Sequence, residues 1–119
     1  MEAGLYRAAN DWRVPDQLYC RPENFSDRGA EGAELVVEVR SEGDETYRKL
    51  EFYAALGVGE VLVLHPQPRA VELFRLVEEK YVQVSPAADG AVLVETLGLR
   101  VAAASDVLRL TWDGGSADV

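Results

Sequence analysis

A strand with charges on one face is the feature that most constrains how this chain folds. Residues 34–40, ELVVEVR, are rich in β-branched residues and predict a β-strand. Because side chains alternate along a strand, two carboxylates and a cation fall on the same side. That side carries Glu34, Val36, Glu38 and Arg40, and the other side carries Leu35, Val37 and Val39.

Two interpretations of the charged face stay open at this point. An edge strand can carry a solvated face whose charges discourage aggregation. Alternatively, a carboxylate and a cation two residues apart converge on one point, where the carboxylate can hold Mg²⁺ and the cation can steady a phosphate or an attacking water.

The segment that follows predicts a helix with one lysine on its apolar side. Asp44 is a good N-cap, and Gly57 suits the left-handed position after a helix, so we expect a helix from residue 44 to about Leu56. At roughly 100° per residue, Lys49 lies within the apolar arc that contains Tyr53. The lysine either snorkels to the rim or pairs with a carboxylate of the strand beneath it.

The remaining patterns complete a mixed β-sheet with one main helix packed on it, an α/β fold on the border of α+β. Further strands are predicted at residues 5–9, 16–21, 60–65, 70–77, 80–85 and 91–95. The strand 60–65 is almost continuously apolar, as expected when both of its faces are covered. The strands 70–77 and 80–85 are joined by a tight acidic turn and predict a hairpin.

The other segments predict irregular structure. Residues 22–32 predict a loop, and residues 97–110 predict a short extended piece followed by a helical turn capped by Ser105. We expect a single domain over residues 1–112 and a flexible tail over residues 113–119.

Charge and cysteine content narrow the functional classes. The formal net charge of −9 argues against a broad basic surface for nucleic acid, so any contact with DNA must be local, metal-assisted or completed by a second subunit. Cys20 is the only cysteine, which excludes an internal disulfide and favours a reducing cytoplasm. No apolar run approaches the roughly 18–20 residues of a membrane span. The first residues also lack a signal-peptide pattern, so we expect a cytoplasmic protein without a membrane partner.

Three segments together resemble a known family. They are RVPDQLYCRPE (13–23), GAELVVEVRSEGDETYRKLEFYAALGVGEVLVLHP (32–66) and RAVELFRLVEEKYVQV (69–84). In this order, the motifs V-P-D, E-V-x-S and D-x(4)-K-L-x-x-Y are similar to the catalytic core of the PD-(D/E)XK nuclease superfamily. More narrowly, they resemble its Uma-two type restriction endonuclease family. The resemblance implies a restriction-endonuclease-like core that hydrolyses DNA with Mg²⁺ or Mn²⁺.

The resemblance also implies roles for individual residues. Asp16 and Glu38 correspond to the two metal-binding acids, and Lys49 corresponds to a lysine that helps to activate the attacking water. Arg40 stands at the spacing of the lysine in the usual motif, so either cation could serve. Asp44 matches an acid that often opens the helix, where its role as an N-cap is sufficient.

The chain departs from the family pattern at three places. Ala33 and Glu34 replace a common Pro-Asp, which keeps an acid. His65 replaces an aspartate before the proline that closes a strand, and we expect a structural role for this histidine. Only 15 residues precede Asp16, too few for the helix that normally opens this fold. Apolar sheet surface without that helix favours association, so we expect a homodimer or higher oligomer.

Three functions are compatible with these observations. The first is a metal-dependent endonuclease that uses Asp16, Glu38 and Lys49. The second is a degenerate nuclease-fold domain without catalysis that serves as an oligomerisation or binding module. The third is a small acidic domain whose charges keep an edge strand soluble. The intact set of three residues favours the first function, whereas the acidity and the short N-terminal segment favour the second.

Overall fold

The structure of the 119-residue chain is a computed structural model. The residues that it describes are 5–8, 11–13, 17–19, 25–26, 29–30, 34–40, 46–66, 69–105 and 107–119. The strands in these ranges are β1 (Leu5–Ala8), β2 (Asp11–Arg13), β3 (Gln17–Tyr19), β4 (Phe25–Ser26), β5 (Gly29–Ala30), β6 (Leu35–Val39), β7 (Glu60–Pro66), β8 (Arg69–Val77), β9 (Lys80–Gln83), β10 (Val92–Val94), β11 (Leu99–Ala104), β12 (Val107–Trp112) and β13 (Gly115–Asp118). The helix in these ranges is α1 (Thr46–Ala55).

A five-stranded sheet in the order β3-β6-β7-β8-β9 forms the centre of the protein. β6 and β7 are parallel and α1 connects them, whereas the other neighbouring strands are antiparallel. This mixed sheet with one packed helix confirms the predicted fold class. Because β6 lies between β3 and β7, the interpretation of residues 34–40 as an edge strand is wrong.

Two apolar layers cover the central sheet. On one face, Val36, Val61 and Val63 pack against Phe52 and Tyr53 of α1. On the other face, a second sheet in the order β10-β11-β12-β13 packs against β6, β7 and β8. The buried residues of that second layer are Leu35, Val37, Leu62, Leu73, Val92, Val94 and Val101. Each fully buried Val or Leu side chain contributes about 1.5–3 kcal/mol, so burial on both faces stabilises the whole assembly of layers.

α1 ends as the sequence predicts. Gly57 has a φ of 74°, in the left-handed region that glycine adopts readily. Its N–H donates to the carbonyl of Ala54 at 3.0 Å, and the N–H of Val58 donates to the carbonyl of Tyr53 at 3.1 Å. These two bonds form a Schellman motif, which satisfies carbonyls at the end of the helix. The predicted N-cap, Asp44, lies outside the described residues.

The hairpin predicted for residues 70–85 is confirmed. β8 and β9 pair with each other, and Val77 is the Cα partner of Lys80. Glu78 and Glu79 form the two-residue turn, with positive φ angles of 50° and 72°. Two positive φ angles are typical of a type I′ turn, which matches the twist of paired strands.

The C-terminal segment differs from its prediction. The helical turn capped by Ser105 is wrong, because β11 and β12 form an antiparallel hairpin and Ser105 lies in its turn with a φ of 54°. Within residues 113–119, where the sequence predicts a flexible tail, β13 pairs with β12. The alanines of β11 favour a helix by intrinsic propensity, but strand pairing and the burial of Val101 override that preference.

The N-terminal strands match the prediction in part. β1 and β3 lie within the predicted strands 5–9 and 16–21, and the predicted loop 22–32 contains the two-residue strands β4 and β5. A third sheet has the order β2-β1-β5-β4. Among the residues that the structure describes, no helix is long and apolar enough to cross a membrane.

Candidate active site

Glu38 is a buried carboxylate near the carboxyl end of β6. Only 3% of its side chain is exposed. It follows Val36 on the side of the sheet that packs against α1, and it pairs with Val63 in the parallel ladder of β6 and β7. Burial disfavours the charged form of a carboxylate, so such a group needs a cation or hydrogen-bond donors nearby.

α1 supplies both a cation and a donor to Glu38. Nζ of Lys49 lies 3.5 Å from Oε1 of Glu38, and the hydroxyl of the fully buried Tyr53 donates a hydrogen bond to the same oxygen. Lys49 and Tyr53 are four residues apart, so their side chains lie on one face of the helix. The predicted pairing of Lys49 with a carboxylate of the strand is confirmed, and the snorkelling alternative is wrong.

The other charged residues of this strand segment lie elsewhere. The guanidinium carbon of Arg40 lies 4.4 Å from the ring centroid of Tyr47, and the Arg40 N–H donates to the carbonyl of Leu64. Glu34 is exposed just before β6 begins. Of the two candidate cations, Lys49 is therefore the one that the structure brings into contact with Glu38.

Asp16, the other predicted metal ligand, lies outside the described residues. Its neighbour in sequence, Gln17, begins β3 and is the Cα partner of Val37, the residue before Glu38. No group of three or more His, Cys, Asp or Glu side chains that could hold a metal occurs in the described ranges. Within those ranges, Glu38 can supply a carboxylate oxygen. Mg²⁺ commonly binds one or two protein carboxylates together with water and substrate phosphates.

A second carboxylate network lies on the same side of the sheet. Oε1 of Glu72 accepts a hydrogen bond from the hydroxyl of Tyr47 at 2.5 Å and lies 2.6 Å from Nε2 of His65. Nε2 of Gln83 donates to Oε2 of the same glutamate at 3.2 Å. The sequence reasoning missed this network.

The two carboxylates belong to one row across the sheet. Val63 of β7 is the Cα partner of Glu38 in β6 and of Glu72 in β8. Strands lie about 4.8 Å apart, so the two glutamate Cα atoms are separated by roughly 10 Å. The sequence marks Glu72 as unusual, because it is the only acid in the apolar strand AVELFRLV (70–77). The sequence does not show which residues Glu72 contacts.

Glu72 is ionised near neutral pH. Burial by itself raises its pKa, but hydrogen bonds from Tyr47 and His65 and the charges of His65 and Arg40 together lower the pKa below its ordinary value of 4.5. The same side of the sheet thus combines two carboxylates with three basic side chains, those of Arg40, Lys49 and His65.

This cluster lies where the carboxyl ends of the parallel strands β6 and β7 meet, beside α1. Ligands of open α/β sheets bind at the carboxyl ends of the strands. The arrangement can hold a cation on a buried carboxylate and place positive side chains around a phosphate.

Comparison with known proteins identifies the family. A search of curated proteins found no match to the chain. The family model Uma2, whose description is "Putative restriction endonuclease", matches residues 2–108, which include the central sheet, α1 and both carboxylate networks. The chain therefore belongs to the Uma2 family, within the PD-(D/E)XK restriction-endonuclease-like superfamily.

Proposed function

We propose that the protein is a Mg²⁺-dependent endonuclease, with Mn²⁺ as an alternative ion, that hydrolyses phosphodiester bonds of DNA. The observation that carries this proposal is the contact between Glu38 and Lys49, a buried carboxylate on an inner strand and a lysine of the next helix. Buried ion pairs add little net stability, because desolvation offsets their attraction. A buried charged group with a specific partner is therefore a candidate for chemistry.

Glu38 and Asp16 are the residues proposed to hold the ion. The ladder of β3 and β6 supports this pair, since their neighbours in sequence, Gln17 and Val37, are Cα partners. When bound, the ion supplies positive charge to the phosphate and lowers the pKa of its water. Lys49, positioned by Glu38, hydrogen-bonds and orients the attacking water.

DNA is proposed to contact a small area of the protein. The formal net charge is −9, so most of the surface repels a polyanion. Arg40 and Lys49 place positive charge on the side of the sheet that carries Glu38, and His65 places an imidazole there. The single cysteine, Cys20, supports a reducing cytoplasm as the location.

Glu38→Gln tests the proposed function. The substitution keeps the side-chain volume and an oxygen for the Tyr53 hydroxyl, but it removes the negative charge that a metal ion requires. We expect the unmodified protein to cleave plasmid or single-stranded DNA with Mg²⁺ and the variant to be slower by about two to three orders of magnitude. The measurement is the rate of substrate loss with Mg²⁺ and with a chelator.

Glu51→Gln is the matched control, because Glu51 is an exposed glutamate of α1. It should cleave at the rate of the unmodified protein. Undiminished activity in Glu38→Gln would assign the cleavage to another site or a contaminant and contradict the proposal. Absence of metal-dependent cleavage by the unmodified protein would instead support a nuclease-fold module without catalysis.

A further inference from the structure

We infer that His65, oriented by Glu72, is a further catalytic residue that protonates the leaving ester oxygen during phosphodiester hydrolysis. This inference rests on the proposed function, and it assigns a role to the second carboxylate network.

The first support is the geometry of the histidine and its carboxylate. Nε2 of His65 lies 2.6 Å from Oε1 of Glu72, which places an Nε2–H donor against an ionised acceptor. Glu72 is itself held by Tyr47 and Gln83, so its carboxylate is fixed. A carboxylate partner sets the tautomer and the orientation of an imidazole. Because Nε2 is engaged, Nδ1 is the nitrogen that can exchange a proton with a substrate.

The second support is the position of His65 relative to Glu38. Glu38 pairs with Val63, and His65 follows two residues later on β7, so both side chains leave the same face of the sheet. One strand spacing and two residues of rise separate their Cα atoms by roughly 8 Å. A phosphate bound by Lys49 beside Glu38 would therefore lie near the imidazole. The His65 side chain is 25% exposed, so a substrate can approach it.

The third support is the charge around the histidine and its partner. Tyr47 of α1 donates to Glu72, and Arg40 of β6 stacks on the Tyr47 ring and contributes to the lowered pKa of Glu72. Glu72 therefore stays anionic beside His65 under conditions where a nuclease works. The anionic carboxylate accepts the Nε2–H of His65 and so fixes the orientation of the ring.

The proposed step conserves atoms and charge. A water oxygen bonds to phosphorus while the bond between phosphorus and the leaving ester oxygen breaks. The electron pair of that bond stays on the ester oxygen, which takes the Nδ1 proton of His65. The attacking water releases a proton to solvent, and the neutral imidazole regains one from solvent before the next turnover.

This step can be tested with two oligonucleotides that differ only in the atom that leaves phosphorus. One carries an ordinary phosphodiester, and the other carries a bridging sulfur at the leaving position, which departs as a thiolate without protonation. His65→Gln keeps an amide nitrogen that can donate to Glu72 but has no acidic proton to transfer. We expect its cleavage of the oxygen substrate to fall about 100-fold or more, with the sulfur substrate cleaved nearly as fast as by the unmodified protein.

The possible outcomes separate this inference from the proposed function. Equal losses on both substrates, or no loss on the oxygen substrate, would overturn the role of His65 while the endonuclease assignment stands. Failure of the unmodified protein to cleave either substrate would overturn both.

A second measurement does not depend on activity. His65 is the only histidine of the sequence, so its imidazole signals in a ¹⁵N–¹H correlation spectrum are unambiguous. In the protein without metal or DNA, we expect the uncharged ring to carry its proton on Nε2, towards Glu72, and Glu72→Gln to weaken this preference. A ring protonated on Nδ1 in the unmodified protein, or an unchanged pattern in the variant, would overturn the orientation by Glu72.

Discussion

Glu60 shows how a buried carboxylate serves structure rather than chemistry. At the start of β7, it accepts the N–H groups of Glu95 and Thr96 at 2.9 and 2.7 Å and the Thr96 hydroxyl at 2.6 Å, and Nη2 of Arg75 lies 3.2 Å away. Glu95 and Thr96 follow β10, so these bonds fasten the second sheet to the central one. Glu38, by contrast, contacts Lys49 and Tyr53, two side chains of α1.

The lowered pKa of Glu60 leads us to expect that the protein loses stability in acid. Burial raises its pKa, but the hydrogen bonds from Thr96, Glu95 and Arg75 lower it below 4.5. The folded protein therefore binds this proton more weakly than the unfolded chain, and the stabilisation is present above pH 4.5 and lost as the pH falls through the lower folded value. Glu60→Gln should reduce the free energy of unfolding by about 3 kcal/mol at pH 7, and the difference from the unmodified protein should shrink near pH 3. Urea unfolding at both pH values measures it.

Glu95→Gln provides the comparison for Glu60→Gln. The Glu95 side chain is 62% exposed and lies 3.6 Å from the same arginine, Arg75. An exposed ion pair contributes at most about 1 kcal/mol, so this change should be small at both pH values. A difference between Glu60→Gln and the unmodified protein that does not vary with pH would contradict the assignment to Glu60.

At the scale of elements, the sequence was most informative where the signals are local. β6, α1 and β7 follow from alternation, helical periodicity and Gly57, all of which act within a few residues. β12 and β13 were missed, and β11 was predicted only as a short extended piece. The alanines of residues 102–104 and the glycines of residues 114–115 have weak strand preference. Their extended conformation depends on pairing partners outside each segment.

The turn between β8 and β9 carries backbone strain that can be removed. Glu79 has a φ of 72°, a conformation that is unfavourable for residues with a Cβ atom. Glu79→Gly should therefore raise the free energy of unfolding by about 1 kcal/mol. Glu79→Ala removes the same charge but keeps the Cβ atom, so it should give no such gain in urea unfolding. Equal stabilisation by both variants would show that charge, rather than backbone conformation, limits this turn.

At the scale of the whole molecule, we expect a homodimer or higher oligomer. Several large apolar side chains remain 40% or more exposed in the described residues, namely Val39, Tyr47, Val77, Val82, Leu93, Leu97, Trp112 and Val119. Exposed apolar side chains favour association where they form a contiguous patch. Light scattering on a size-exclusion column should give at least twice the mass of one chain, and the mass of a monomer at micromolar concentration would contradict the expectation.

The sequence by itself determined the strand, helix and strand of residues 34–66, because those patterns repeat within a few residues. It left the pairing of Lys49 with a strand carboxylate as one of two alternatives, and the tertiary structure decided between them. Only the tertiary structure decided that β6 lies inside the sheet and that the chain continues as strands to Asp118. It also decided the meeting of Tyr47, His65 and Glu72, since Tyr47 and Glu72 are 25 residues apart in sequence. Strand order and side-chain contacts between distant segments depend on which surfaces bury each other, and no local pattern encodes that choice.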